Sequence, residues 1–501
     1  MSTIRRQSII SSGVVYIGFA IGFINTYLFV KEGGFTPSQY GLTVTFISIA
    51  NIMYSLSNLG MQYYIYRFYP YYHDNLPPQK NDMLSISLLF STIGFLFVTI
   101  FGFFLKDLVI RKFSAHSPDL VKYYYWTFIF GFGLTMFTIV ESFAWQLKES
   151  VLTTTFKEVV YRLLTTTLIC LSLLKIIPNF DLFIKIYSLG YLAMVIVLVA
   201  VLFNKKKIHF PLQQSRLTRR LSKKIWKQIL SIWFGLIIHN IATFYAAIVI
   251  SAVLPNGLAY AGIFALAQNI ASLIQAPQRS IIAASVGYLS KAWKDKDMEK
   301  IQNIYYKSSI NQLIFASGMF VLIWINFTDG VLTFHFQKGY LEAQNVFLFI
   351  GLMRVIDMGT GVNSQIITTS KFWAFEFWTG MVLLLLVVVL NYILTKRLGV
   401  TGPAIGELTA LVVYNLIRGV FLYRKFGMSP FKRKSILPLL LAFAGYIVCH
   451  LLFKDFTGFG WIVLRSFVFL AIYLSGIIYL NLSPDLNPVL ATLKKRFGIK
   501  G

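Results

Sequence analysis

Apolar stretches of about 20 residues recur along the whole chain, and that recurrence fixes its environment before any motif is read. Each stretch is long enough to cross the hydrocarbon core of a bilayer. In lipid the backbone must satisfy its own hydrogen bonds, which for such segments means a helix. The stretches fall at 7–30, 41–62, 83–105, 122–145, 151–174, 182–203, 228–253, 258–287, 308–328, 344–367, 373–394, 402–422, 435–453 and 459–481. The expected fold is an all-α polytopic membrane protein of about 14 transmembrane helices. Only 13% of the 501 residues are charged and 56% are apolar, where soluble domains carry about 25% charged residues. A soluble multidomain enzyme is excluded.

Charge then orients the chain. There are 46 Lys and Arg against 19 Asp and Glu, a net charge of +27. In a soluble protein this would suggest nucleic acid, but here most cations sit in short loops beside apolar spans, so no nucleic-acid partner is expected. With the N-terminus in the cytoplasm, the inner segments hold roughly three times the Lys and Arg of the outer ones, which places both termini inside. Arg5 and Arg6 precede a long apolar run without a small-residue cleavage pattern, so the run reads as a retained first span. The two cysteines, Cys170 and Cys449, lie inside apolar stretches and support neither a disulfide framework nor a metal site. No loop is long enough to fold as a catalytic domain, and no phosphate-binding glycine loop is present, so no cofactor and no ATPase activity of this chain's own is expected.

The chain divides into segments 1–203, 204–227, 228–425 and 426–501. The second holds nine cations, and its helical charge spacing from Ser215 to Trp226 predicts an amphipathic helix lying on an anionic inner leaflet. The segment from Tyr288 to Lys307 reads as a second interfacial helix. Features recur between the two six-span groups: Glu141 with Asp357, Glu158 with Glu376, Gly190 with Gly406, and Tyr40-Gly41 with Tyr260-Ala261-Gly262. An even number of spans per group gives two lobes of the same orientation, related by a pseudo-two-fold axis along the membrane normal. The last two helices lie outside this repeat.

Charges at membrane depth cost about 2.5–3.5 kcal/mol each on insertion scales, so they face a cavity or a partner. The candidates are Glu141, Lys157, Glu158, Arg162, Arg279, Arg354, Asp357, Glu376 and Glu407. Arg418 and Arg465 sit near span ends, where snorkelling accounts for them. Two polar stripes at helical spacing, Asn51, Ser55, Asn58, Gln62 and Gln268, Ser272, Gln275, Arg279, suit either a cavity wall or interhelical hydrogen bonds. Glu158 with Arg162, and Arg354 with Asp357, are spaced to neutralise each other, which would leave Arg279 the least compensated deep cation. His239 and Asn240 fall mid-span and read as structural. The aromatic run from Tyr63 to Tyr72 reads first as an interfacial belt and second as a surface for sugar stacking. The acids Glu141, Glu158, Asp357, Glu376 and Glu407 suit ion coupling or simple neutralisation of arginines.

The stretch from Ile4-Arg5-Arg6-Gln7-Ser8 through Tyr40-Gly41 to Arg67-Phe68-Tyr69-Pro70 resembles the start of a polysaccharide-biosynthesis membrane protein, and Gly399-Val400-Thr401-Gly402-Pro403-Ala404-Ile405-Gly406 also fits. The chain resembles the oligosaccharide (O-antigen, Wzx-type) flippases of the multidrug/oligosaccharidyl-lipid/polysaccharide exporter superfamily. The resemblance implies a MATE-like pair of lobes around a V-shaped cavity that opens alternately to each side of the bacterial inner membrane. It implies a flippase rather than an enzyme, with an undecaprenyl-pyrophosphate-linked oligosaccharide as substrate and membrane lipid and polysaccharide-assembly proteins as partners. Arginine suits a pyrophosphate because its planar fork donates paired hydrogen bonds. That role falls to Arg279 and Arg354, with Arg162 and Lys157 behind them and Gln268, Gln275, Asn51, Asn58 and Gln62 lining the cavity. The competing expectations are a multidrug antiporter and a lipid-linked peptidoglycan-precursor flippase.

Overall fold

The computed structural model describes residues 3–211 and 213–485; the end of the expected cytoplasmic tail, 486–501, lies outside them. Among the described residues every regular element is a helix. The chain forms two compact units, divided at Gly262 and Ile263.

The first unit contains α1 (Thr3–Val30), α2 (Pro37–Ser57), α3 (Met61–Asn75), α4 (Met83–Phe104), α5 (Lys106–Phe113) and α6 (Pro118–Lys122). It continues with α7 (Tyr124–Gln146), α8 (Ser150–Thr155), α9 (Tyr161–Leu173), α10 (Phe180–Asn204) and α11 (Arg216–Val253), and ends within α12 (Gly257–Ser272). Thr36 starts α2 with a capping box closed by Gln39. The most enclosed helix is α7, packed against α2, α3, α4 and α10. Its Phe137, Val140 and Phe143 join Tyr64, Phe68, Leu198 and Ile229 in the core.

The second unit contains α13 (Gln278–Asp295), α14 (Met298–Thr333), α15 (Ala343–Gly359), α16 (Asn363–Thr368), α17 (Trp373–Leu398), α18 (Thr401–Phe426), α19 (Leu437–Phe453) and α20 (Phe459–Tyr479). Here α17 packs along α18, α15 against both α14 and α18, and the α19–α20 hairpin against α14. Arg465 and Asp329 hold that hairpin. The guanidinium lies 3.5 Å from the Asp329 carboxylate and donates to the carbonyls of Ile325 and Phe456, both at 2.8 Å. Arg465 therefore does not snorkel; it is buried and paired because three chain segments converge on it.

Ten helices among the described residues are long and apolar enough to cross a membrane, or eleven when α2 and α3 count as one span bent by 50°. The other three expected spans are interrupted. A π turn, Phe156–Val160, separates α8 from α9; residues 273–277 separate α12 from α13; and residues 360–362 separate α15 from α16. The left-handed backbone of Gly60 and Gly361, at φ 77° and 64°, makes two of the four breaks possible. The three interrupted spans carry Lys157, Glu158 and Arg162, then Arg279, then Arg354 and Asp357. In these three spans backbone irregularity and deep charge coincide, whereas Glu141, Glu376 and Glu407 lie on unbroken helices; non-helical backbone at membrane depth is tolerated where it is buried in protein or lines water.

The basic segment also departs from expectation. Its second half is not a separate helix on the membrane surface but the opening turns of α11, a single helix of 38 residues. At about 57 Å it exceeds a hydrocarbon core of about 30 Å, so the basic turns project beyond it. Buried Asp82 holds the start: it accepts from the Ser215 backbone N–H at 2.7 Å and from Thr218 Oγ1 at 2.9 Å. Likewise 288–307 is not a single helix. It contains the end of α13, a left-handed turn at Lys296 and the start of α14.

Candidate functional site

The deep polar residues gather in two clusters, one in each unit. In the first, Lys157 Nζ lies 3.3 Å from Glu141 Oε2, joining the π turn to α7. One turn on, Arg162 pairs with Glu158 at 2.7 Å and donates through its other nitrogen to the Gly18 carbonyl at 2.5 Å. Asn25 on α1 donates to the Arg162 carbonyl at 2.9 Å and accepts from Thr166 at 2.6 Å. Arg162 is thus a clasp that ties α1 to the interrupted span, its charge matched within one helical turn. Lys157 differs, because its side chain remains 45% exposed beside a buried carboxylate.

The stripe on the second span is largely internal. Ser55 and Asn58 are buried, and the chain turns at Asn58–Gly60 so that the row does not continue along one face. Gln62 accepts from Tyr54 at 2.6 Å and donates to Tyr66 at 3.2 Å, and Asn51 donates to the Ile47 carbonyl at 2.8 Å. Of the mid-span pair on α11, Asn240 donates to the Leu236 carbonyl at 3.1 Å.

The second cluster links α13, α15, α16, α17 and α18. Asp357 does not pair with Arg354 despite their spacing; its carboxylate accepts from Gln278 at 2.9 Å and from Asn415 at 3.4 Å. Asn363 donates to Asn415 at 2.9 Å and extends the chain of bonds. Glu376 accepts from Ser364 at 2.8 Å and from Tyr414 at 3.3 Å, and forms an ion pair with Arg418. Arg418 is 4% exposed, with its guanidinium carbon 3.6 Å from the centre of the Tyr414 ring. It is a buried charge with a fixed partner, not a snorkelling one.

Three predicted residues stand apart from these pairs. Arg279, in the first turn of α13, is exposed and forms no hydrogen bond or ion pair among the described residues. Gln268, on α12, and Gln275, inside the 273–277 break, precede it and are both half-buried. Arg354 is half-buried and in electrostatic reach of Glu407 and Asp357, yet its Nε is buried without a hydrogen-bond partner among the described residues. Glu407, on α18, is buried, with Oε1 equally unpartnered. Buried polar groups in native proteins are seldom left so, and each such exception calls for a ligand, an ion or water.

Sequence reasoning missed Gln278, Asn415, Asn25 and Tyr414. All are uncharged, and a search for deep charges passes over them. Only the amides' presence inside apolar stretches gave a signal.

Comparison with solved structures places the fold. A lipid II flippase, MurJ, in an inward closed conformation matches with a TM-score of 0.72 over 95% of this chain and 99% of its own, at 17% identity. An inward-facing multidrug-resistance MATE transporter of the MOP superfamily matches at 0.60 over 84% and 98%, again at 17% identity. A second MATE structure, in complex with MaL6, matches at 0.57 over 84% and 96%, at 16% identity. No protein-family model and no curated protein sequence matches the chain. The chain is a multi-pass helical membrane protein with the fold common to these flippases and transporters.

Proposed function

We propose that this chain is a flippase for an undecaprenyl-pyrophosphate-linked oligosaccharide, carrying it by alternating access from the cytoplasmic to the outer leaflet of a bacterial inner membrane. The observation that carries the proposal is the asymmetry of charge satisfaction. Glu141, Glu158, Asp357 and Glu376 each hold a cation or an amide, whereas Arg279 holds nothing and Arg354, with the unpartnered acid Glu407 in electrostatic reach, has a buried nitrogen unbonded. A surplus of uncommitted cations suits a dianionic pyrophosphate, and guanidinium suits it best. A cationic-drug antiporter would need the opposite balance. Coverage points the same way: the MATE likenesses leave about 80 residues of this chain unmatched, close to the length of 426–501 with α19 and α20, whereas the lipid II flippase likeness spans nearly all of it.

That full-length likeness also favours a second reading, in which the glycan is a peptidoglycan precursor. Mass spectrometry of the lipid-linked pool after depletion separates the readings. Accumulation of an undecaprenyl-pyrophosphate oligosaccharide with loss of surface polysaccharide supports the first, and accumulation of the peptidoglycan precursor with lysis supports the second. An unchanged pool with new sensitivity to cationic dyes refutes both. Among the acids, Glu407 suits ion coupling best, because the other four carboxylates each have a hydrogen-bond donor.

A further inference from the structure

Near the end of α7 two aromatic rings form a stacked pair. Tyr66 on α3 and Trp145 lie with ring centres 6.0 Å apart and planes within 9° of parallel. Both are held by their polar edges. The Trp145 indole N–H donates to Thr153 Oγ1 at 2.9 Å; the Tyr66 hydroxyl donates to Ser142 Oγ at 3.2 Å and accepts from Gln62 at 3.2 Å. Trp145 nevertheless stays 43% exposed. It is the one exposed residue in the last 21 positions of the most enclosed helix of its unit, 126–146. The neighbouring positions are polar: Gln62 and Ser142 bond Tyr66, Thr153 bonds Trp145, and Glu141 and Lys157 pair one turn further along.

The same two helical segments supply a cation. Trp145 meets Thr153, and one turn away along both segments Glu141 meets Lys157. The half-exposed ammonium and the indole are therefore anchored one helical turn, about 5.4 Å of axial rise, apart on the same pair of segments. On the topology proposed above, Trp145 is on the cytoplasmic side of Lys157, the order in which a lipid-linked glycan presents its sugar and its pyrophosphate.

We propose that Trp145, backed by Tyr66, is a stacking platform for the first pyranose of the lipid-linked glycan, with Lys157 receiving the adjoining phosphate. This deepens, and rests on, the function proposed above. The C–H face of a pyranose packs on an indole much as an aromatic edge does, and the amphipathic ring suits a ligand half sugar and half water. Ring geometry fixed in advance by Thr153 and Ser142 limits the ordering lost on binding.

The test is native mass spectrometry of the full chain in nanodiscs with two probes: bare undecaprenyl pyrophosphate, and the glycan-bearing undecaprenyl pyrophosphate extracted from cells depleted of the protein. The wild type should prefer the glycan-bearing lipid by about tenfold, the scale of one good aromatic contact. Trp145→Ala should bring the two affinities together with binding of the bare lipid kept, and Trp145→Phe should restore most of the preference. Retention of the preference by Trp145→Ala overturns the platform and leaves the flippase reading standing. Equal binding of both probes by the wild type also overturns the platform. Failure of the wild type to bind either probe overturns the flippase reading itself.

Discussion

Replacing Arg418 with Met removes the cation that faces Glu376 and leaves the carboxylate with two hydroxyl donors, Ser364 and Tyr414. Breaking a buried pair from one side costs about 3–5 kcal/mol, against about 0–1 kcal/mol for an exposed or snorkelling cation. Because the Glu376 side chain keeps those donors and is 20% exposed, the lower end applies, about 3 kcal/mol or a factor of about 150 in the unfolding equilibrium. Glu376→Gln should cost less, since Arg418 keeps the Tyr414 ring beneath it. The double replacement Glu376→Met with Arg418→Met should recover part of the loss, giving a coupling of about 2 kcal/mol. Steric trapping in lipid nanodiscs measures all four free energies. A coupling below about 0.5 kcal/mol would refute the buried-pair reasoning and return Arg418 to the membrane interface.

Arg279→Ala and Arg354→Ala should each lower glycan export severalfold at unchanged protein level, measured by surface polysaccharide, and the pyrophosphate assignment fails if both leave export untouched. Glu407→Gln should make transport in proteoliposomes insensitive to the driving ion gradient, whereas an unaltered response removes Glu407 from coupling. Gly41→Ala would drive a methyl into the Leu258 carbonyl and the Gly262 backbone nitrogen and cost about 1–3 kcal/mol, read as a lower melting temperature. Gly235→Ala, where nothing crowds the added carbon inside α11, is the control and should be neutral or stabilising.

The sequence reveals where helices run far better than what they touch. Apolar length alone marks the helical regions, because lipid permits so few backbone solutions. The breaks leave marks in the sequence: Gly359, Gly361, Asn363 and Gln365 make the tenth span glycine-rich and polar, which suggests its kink, Gly60 allows the backbone reversal after α2, and Pro277 follows a run of polar residues. Pairing is legible only where it is local. Glu158 and Arg162 share one turn and do pair, but Arg354 and Asp357 have the same kind of spacing and do not, because Gln278, 79 residues away, reaches Asp357. Arg418 and Glu376 are 42 residues apart, and no periodicity connects them. The cations of 204–227 suggest a surface helix because charge pattern carries no information on whether a helix continues past its last cation; Ser215 and Asp82 settle where it begins.

An uninterrupted α11 behaves as a rod fixed at three heights. Asp82 grips its first turn, the Trp233 indole donates to the Ser55 carbonyl at 2.7 Å midway, and Ser251 meets Thr45 at 3.0 Å and Ser117 at 2.6 Å near its far end. A stiff rod of this length tilted by about 10° carries its free end about 10 Å, so it cannot swing while all three fastenings hold. In the alternating access proposed above, reorienting this helix would have to break those hydrogen bonds, each of net worth about 0.5–1.5 kcal/mol, and release Ile225 and Ile229 from the core. On that proposal, whichever end lets go first becomes the moving end, and the choice between the Asp82 and Ser251 fastenings would set the side of the membrane on which the helix opens.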